Sequence, residues 1–211
     1  MSDYEVVSAV SEAVRRILWD EFRADSKLFP QLISSMERIV FSNPTETARD
    51  SDNKLSLWLY QITENEHMKN QPPARARQQP PQQPGTNGRE ALQGTPMALN
   101  LYYLVTPFVT AGQAEHMLLG KTMQVLYDNA TIFLRDPNPN RTLAEELRVV
   151  FCRMTLEELT RIWEALREPY RLSVCYLIRI THIDSRRITD AGRVVERDAA
   201  FNSDPESVAE V

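Results

Sequence analysis

The sequence predicts an α/β (α+β) chain, a mixed β-sheet flanked by about three helices. Apolar residues recur at every second position in Leu55–Thr63, Met97–Phe108 and Tyr170–Asp184, which is the period of a strand. They recur at three and four in Asp3–Phe22, Thr110–Asp128 and the segment opened by Thr155, which is the period of a helix. The order helix, strands, helix, strand, helix, strand then requires the helices to pack on one sheet.

The first helix places Val6, Val7, Val10, Val14, Ile17 and Leu18 on one face and Glu5, Glu12, Arg15 and Arg16 on the other. The pattern breaks around Leu28–Pro30, and a short strand, Arg38–Ser42, is stopped by Asn43-Pro44. In Leu55–Thr63, Leu55, Leu57 and Leu59 point one way while Trp58, Tyr60 and Ile62 point the other. Two apolar faces predict a strand covered on both sides. Met97–Phe108 behaves alike, with Leu99, Leu101, Tyr103 and Val105 opposite Ala98, Tyr102 and Leu104.

In the second helix, Leu118/Leu119, Thr122/Met123 and Val125/Leu126 recur at each turn. Leu147–Cys152 reads as a short strand. Thr155 opens the third helix with a capping box: its hydroxyl accepts from the first turn while Glu158 reaches back. Leu156, Leu159, Ile162, Trp163 and Leu166 form that helix's predicted buried stripe, and Pro169 ends it. In the last strand, Tyr170, Leu172, Val174, Tyr176, Ile178 and Ile180 alternate with Arg171, Ser173, Cys175, Leu177, Arg179 and Thr181. After Ser185 the chain is charged and short of large apolar groups.

A length of 211 residues fits one large domain or two small ones. The part before residue 69 supplies too little to bury Trp58, Tyr60 and Ile62 by itself. The expected organisation is therefore one domain over 1–184, with a long Pro/Gln-rich loop at 69–95 and a charged arm or flexible tail at 185–211. The loop carries Lys69, Arg75, Arg77 and Arg89 against Glu90, a net +3 in a chain of net −5. A basic loop seeking an acidic surface and a merely solvated spacer both fit that composition.

The acidic balance, with a pI near 5.3, argues against a general nucleic-acid binder. No stretch approaches the roughly 18 apolar residues of a membrane span, and the first residues lack a signal-peptide pattern, so a cytoplasmic start is expected. His67, His116 and His182 are isolated and no metal-ligand spacing occurs, so no metal or cofactor is expected. Gly120-Lys121-Thr122 lacks the upstream glycine of a phosphate loop and falls inside a helix, where its N–H groups are already bonded. Glu145-Glu146 and Glu157-Glu158 are adjacent pairs that suit a solvated surface, and no catalytic residues are assigned. Cys152 and Cys175 read as small hydrophobes in a reducing compartment.

Taken in order, LSLWLYQITEN (55–65), ALNLYYLVTPF (98–108), LLGKTMQVLYDN (118–129), LEELTRIWEAL (156–166) and PYRLSVCYLIR (169–179) resemble the N-terminal domain of a known family. It is the family of cap, or tail-terminator, proteins of extracellular contractile injection systems of the antifeeding-prophage and virulence-cassette type. The resemblance implies a phage tail-terminator-like fold and a structural role without catalysis. It implies a homo-hexameric ring that closes the inner tube, anchors the last sheath ring and ends polymerisation, within a particle that can be released. Inner-tube and sheath proteins would be the partners, with no nucleic acid and no membrane insertion. Arg171 and Arg179 on the last strand, Arg75, Arg77 and Arg89 in the loop, and Arg186 and Arg187 in the tail are the candidate interface residues. The competing reading is a small-ligand-binding or enzymatic α/β domain, which needs polar residues converging at strand ends.

Overall fold

The computed structural model describes residues 5–66, 89–93, 97–134, 145–183 and 188–192. Helix α1 (Val6–Ala24) forms because Val6, Val10, Val14, Leu18 and Phe22 repeat every fourth residue, and all five are buried. A short 3₁₀ turn (Met36–Arg38) leads into β1 (Ile39–Val40). Helix α2 (Pro44–Ala48) is started by the Asn43 side chain, which accepts from the Glu46 N–H at 2.8 Å, and by proline in its first turn.

Strand β2 (Lys54–Glu64) is followed by β3 (Arg89–Gln93) and β4 (Met97–Phe108). Then come α3 (Gly112–Asp128), β5 (Thr131–Leu134), β6 (Glu145–Cys152), α4 (Leu156–Leu166), β7 (Val174–Ile183) and β8 (Ile188–Gly192). Six strands form one sheet in the order β1-β2-β4-β7-β6-β5. Only β1–β2 is a parallel pair among them, so the sheet is mixed as expected.

Leu55 and Leu57 of β2, Leu101, Tyr103 and Val105 of β4, Ile178 of β7, Val149 of β6 and Ile132 of β5 share one face, and α1 and α3 cover it. Ser56, Leu104, Thr106, Cys175 and Leu177 point the other way and are also buried. Trp163 of α4, 2% exposed, contributes to that second layer, and the Thr45 hydroxyl of α2 donates to Leu166 O of α4 at 3.3 Å. The strands that the alternation marks as two-faced are the interior ones.

Four differences from the sequence reading have physical causes. The register of β2 against β4 shifts between Leu59 and Gln61, a bulge at Tyr60. Ile62 is thereby moved to the row of Leu101, away from the face of Trp58, and is 49% exposed. The short helix α2 has too few residues to show a period. Tyr170–Ser173 precede β7 and do not extend it. Finally, 89–93 and 188–192, placed by sequence in the loop and the tail, pair as a separate antiparallel ribbon, β3–β8.

One buried polar pair ties α1 to the sheet. Ser11 donates to Val7 O at 3.2 Å and its hydroxyl meets that of Tyr103 at 2.8 Å, so the tyrosine is the donor between them. Burial pushes the Tyr103 phenol up to about 12. Tyr103→Phe leaves Ser11 bonded to Val7 O and is expected to cost about 0.5–1.5 kcal/mol. Ser11→Ala strands a buried phenol and is expected to cost more, about 1–3 kcal/mol, with the double variant less than additive. Urea unfolding of the three variants checks the ordering.

Candidate interaction surfaces

Register brings a polar row together across the sheet's second face. Thr63 of β2 lies opposite Asn100 of β4, Asn100 opposite Arg179 of β7, Arg179 opposite Arg148 of β6, and Arg148 opposite Thr131 of β5. Arg148 and Arg179 are exposed, and like charges directly opposite on a sheet repel. Glu146, 3.2 Å from Arg148, offsets one of them. The Asn100 Oδ1 is buried and accepts no hydrogen bond. Such a row suits an acidic or hydrogen-bonding partner surface.

Above this row the same face turns apolar. Tyr102, Leu177 and Val150 come next, then Trp58, Leu104, Cys175 and Cys152 in the direction of α4. Helix α4 is held at its start by the capping box read from the sequence. The Thr155 hydroxyl accepts from Glu158 N–H at 3.2 Å, and Glu158 accepts from Thr155 N–H at 2.7 Å. At its end, Arg167 adopts a left-handed conformation with φ 56°. Trp163 fixes the middle by donating to Ser173 Oγ at 3.2 Å.

Of the five residues predicted to form the buried stripe of α4, only Trp163 is buried. Leu159, Ile162 and Leu166 are half-buried, and Leu156 is 67% exposed. Amphipathic spacing gives the direction of the apolar side but not what covers it. A second apolar feature lies on the α1/α3 face. Met123, Leu126 and Tyr127 of α3 face Val149, Phe151 and Tyr176 across a groove of about 360 Å³, and Tyr127 itself is 83% exposed. The lining is apolar apart from the Gln124 amide and two phenols, so the groove suits an inserted apolar side chain better than bond-making chemistry.

The candidate arginines separate. Arg179 joins Arg148, a partner that sequence alone did not reveal because it depends on the β6–β7 register. Arg171 lies before β7, 3.6 Å from Glu115 at the start of α3 and stacked 5.1 Å over the Phe108 ring. It therefore spans β4 and α3 and does not share a surface row with Arg179. Arg89 begins β3. Arg75, Arg77, Arg186 and Arg187 lie outside the described residues.

The sheet's edges are short, two residues in β1 and four in β5. Among the described residues no three His, Cys, Asp or Glu side chains group to hold a metal, and no helix is long and apolar enough to cross a membrane.

Residues 9–197 match the family described as the Pvc16 N-terminal domain. The chain belongs to that family. Two solved structures resemble this Pvc16 N-terminal domain. One is the PVC sheath/tube terminator of an extracellular contractile injection system in its extended state, at a TM-score of 0.61 and 18% identity. The alignment covers 100% of this chain and 66% of that one. The other is the anti-feeding prophage tube-terminating cap, at a TM-score of 0.58 and 14% identity, covering 91% of this chain and 60% of that one. At these identities the likeness is one of fold, and this chain spans less than two thirds of either protein. No curated protein matches its sequence.

The cap of α4 gives a directional test. Its hydrogen bonds from Thr155 hold the Glu158 carboxyl below its ordinary range. The folded value is the lower one, so the stabilisation is present above the unfolded carboxylate range and is lost as pH falls through the folded value. Thr155→Ala is expected to speed amide exchange in the first turn of α4 roughly fivefold at neutral pH. The difference from the parent should shrink in acid, as hydrogen exchange would show.

Proposed function

We propose that this chain is the structural cap, or tail terminator, of a phage-tail-like contractile injection particle. On this reading it forms a homo-hexameric ring that closes the inner tube, anchors the last sheath ring and ends polymerisation. The role is structural and not enzymatic, and the partners are the tube and sheath proteins of the same particle. The observation that supports it is the family match over residues 9–197, in a chain whose fold resembles two terminator caps. The chain is made and assembled in the cytoplasm and leaves as part of the particle. Residues 1–184 act as one domain, with the loop at 69–95 and the arm at 185–211 as appendages.

A closed ring needs two different surfaces on each copy, because identical patches would stop at a dimer. The arginine row of β6–β7 and the open apolar side of α4 are two such surfaces. We assign Arg179 to the subunit interface, with Arg171, Arg75, Arg77, Arg89, Arg186 and Arg187 as further contacts.

Assembling particles without this protein tests the role: tubes of uncontrolled length with loosely held sheaths are expected, and normal lengths with stable sheaths would overturn it. Arg179→Glu tests the interface. The new carboxylate faces Arg148, so the monomer's unfolding temperature should hold within a few degrees. The hexamer mass read by native mass spectrometry should disappear. A hexamer that survives the charge reversal would remove Arg179 from the interface.

A further inference from the structure

Two cysteines separated by a helix in the chain are neighbours in the sheet. Cys152 ends β6, Cys175 lies near the start of β7, and the two are direct partners in the antiparallel register. Directly opposed residues in such a pair have Cα atoms about 4.5–5.5 Å apart, within the span that a disulfide accepts. Both side chains project to the same face of the sheet, as direct partners across the ladder must. Both are free thiols. Around them stand the Tyr60 hydroxyl, 3.2 Å from the Cys175 sulfur, and Met154, whose sulfur accepts from the same hydroxyl at 3.8 Å.

We propose that Cys152 and Cys175 form an oxidisable cross-strand pair, which closes into a disulfide when the protein meets a small-molecule disulfide such as oxidised glutathione. Cys175 is buried and Cys152 is partly exposed, so the reagent reaches Cys152 first. The Cys152 thiol gives its proton to water, and its sulfur attacks one sulfur of oxidised glutathione. The reagent's S–S bond breaks and the departing glutathione takes up a proton. Cys175 then loses its proton and attacks the Cys152 sulfur of the mixed disulfide, and the second glutathione leaves as a thiol. Two protein thiols are oxidised, and one glutathione disulfide is reduced to two thiols.

The surroundings set the pace. Burial pushes the Cys175 thiol up to about 12 and also raises that of Cys152, so little thiolate is present near neutrality. The pair therefore closes slowly, and it does so where disulfides persist and not where thiols are in excess. The bridge would close the loop 153–174, which contains the whole of α4. The strand ends that flank α4 would then be joined covalently as well as by the ladder.

Incubating the full-length protein with excess oxidised glutathione provides the test, read by intact mass and by thiol titration after denaturation. The expected product is a monomer that has lost two hydrogens and both titratable thiols. Its unfolding midpoint should rise by roughly 5–10 °C and return on reduction. Cys175→Ser should halt at a stable Cys152–glutathione adduct. If that variant does not fold, the parent's mass and thiol count still decide the matter. Two thiols persisting after prolonged exposure, a stable adduct on the parent, or chains cross-linked to each other would each overturn the proposal.

Discussion

Every layer of this fold hangs on the pairing of β4 with β7. These strands are the middle of the six-stranded sheet, with β2 on one side and β6 on the other. Their side chains divide between two cores. Leu101, Tyr103, Val105 and Ile178 meet α1 and α3, whereas Leu104, Cys175 and Leu177 meet the layer of α4. A slip of one residue would exchange the two sets. Apolar burial alone would penalise that slip weakly, because both faces are apolar. The polar pairs discriminate more sharply: a slip would pull Tyr103 away from Ser11, leaving its buried hydroxyl without that partner, and Cys175 away from Tyr60.

The same ladder accounts for what lies outside the sheet. The segments flanking β4 and β7 pair again as β3 and β8, with Gln93 opposite Ile188 and Arg89 opposite Gly192. A two-stranded ribbon of this length spans on the order of 16 Å, and among the described residues no third strand joins it. It joins parts of the chain nearly a hundred residues apart, so no local pattern announces it. Residues 89–93 alone read as a polar stretch after a proline-rich run, and 188–192 as a charged tail.

What was legible in the sequence was periodic and local. The repeat of valines in α1, the alternation in β4 and the Thr155–Glu158 cap each need only a few neighbouring residues, and each appears as read. What was hidden depended on partners. Ile62 was assigned the wrong face because a bulge is visible only against the opposing strand. The stripe of α4 was legible as a direction, yet whether Leu156 and Ile162 are covered is decided by how far the sheet extends beneath the helix. Arg179 reads in the sequence as a candidate interface residue on the last strand. Its meaning changed when register placed Arg148 beside it and Asn100 on its other side.

The two kinds of open surface differ in what they demand of a partner. The row from Thr63 to Thr131 is polar and carries two arginines with one nearby acid, so a partner gains most there by supplying hydrogen bonds or negative charge. The side of α4 bearing Leu156, Leu159, Ile162 and Leu166 demands apolar area instead. Within α4 itself, Glu157, Glu158 and Glu164 outnumber Arg161, so its outward surface is acidic where the row is basic. On the proposed ring reading, a copy turned about the ring axis can set its acidic helix near the next copy's basic row. The short edge strands point the same way: β1 and β5 offer too little backbone to template an open-ended series of added strands. On the proposed terminator reading, side-chain interfaces that close on themselves would do what these short edges of the six-stranded sheet cannot.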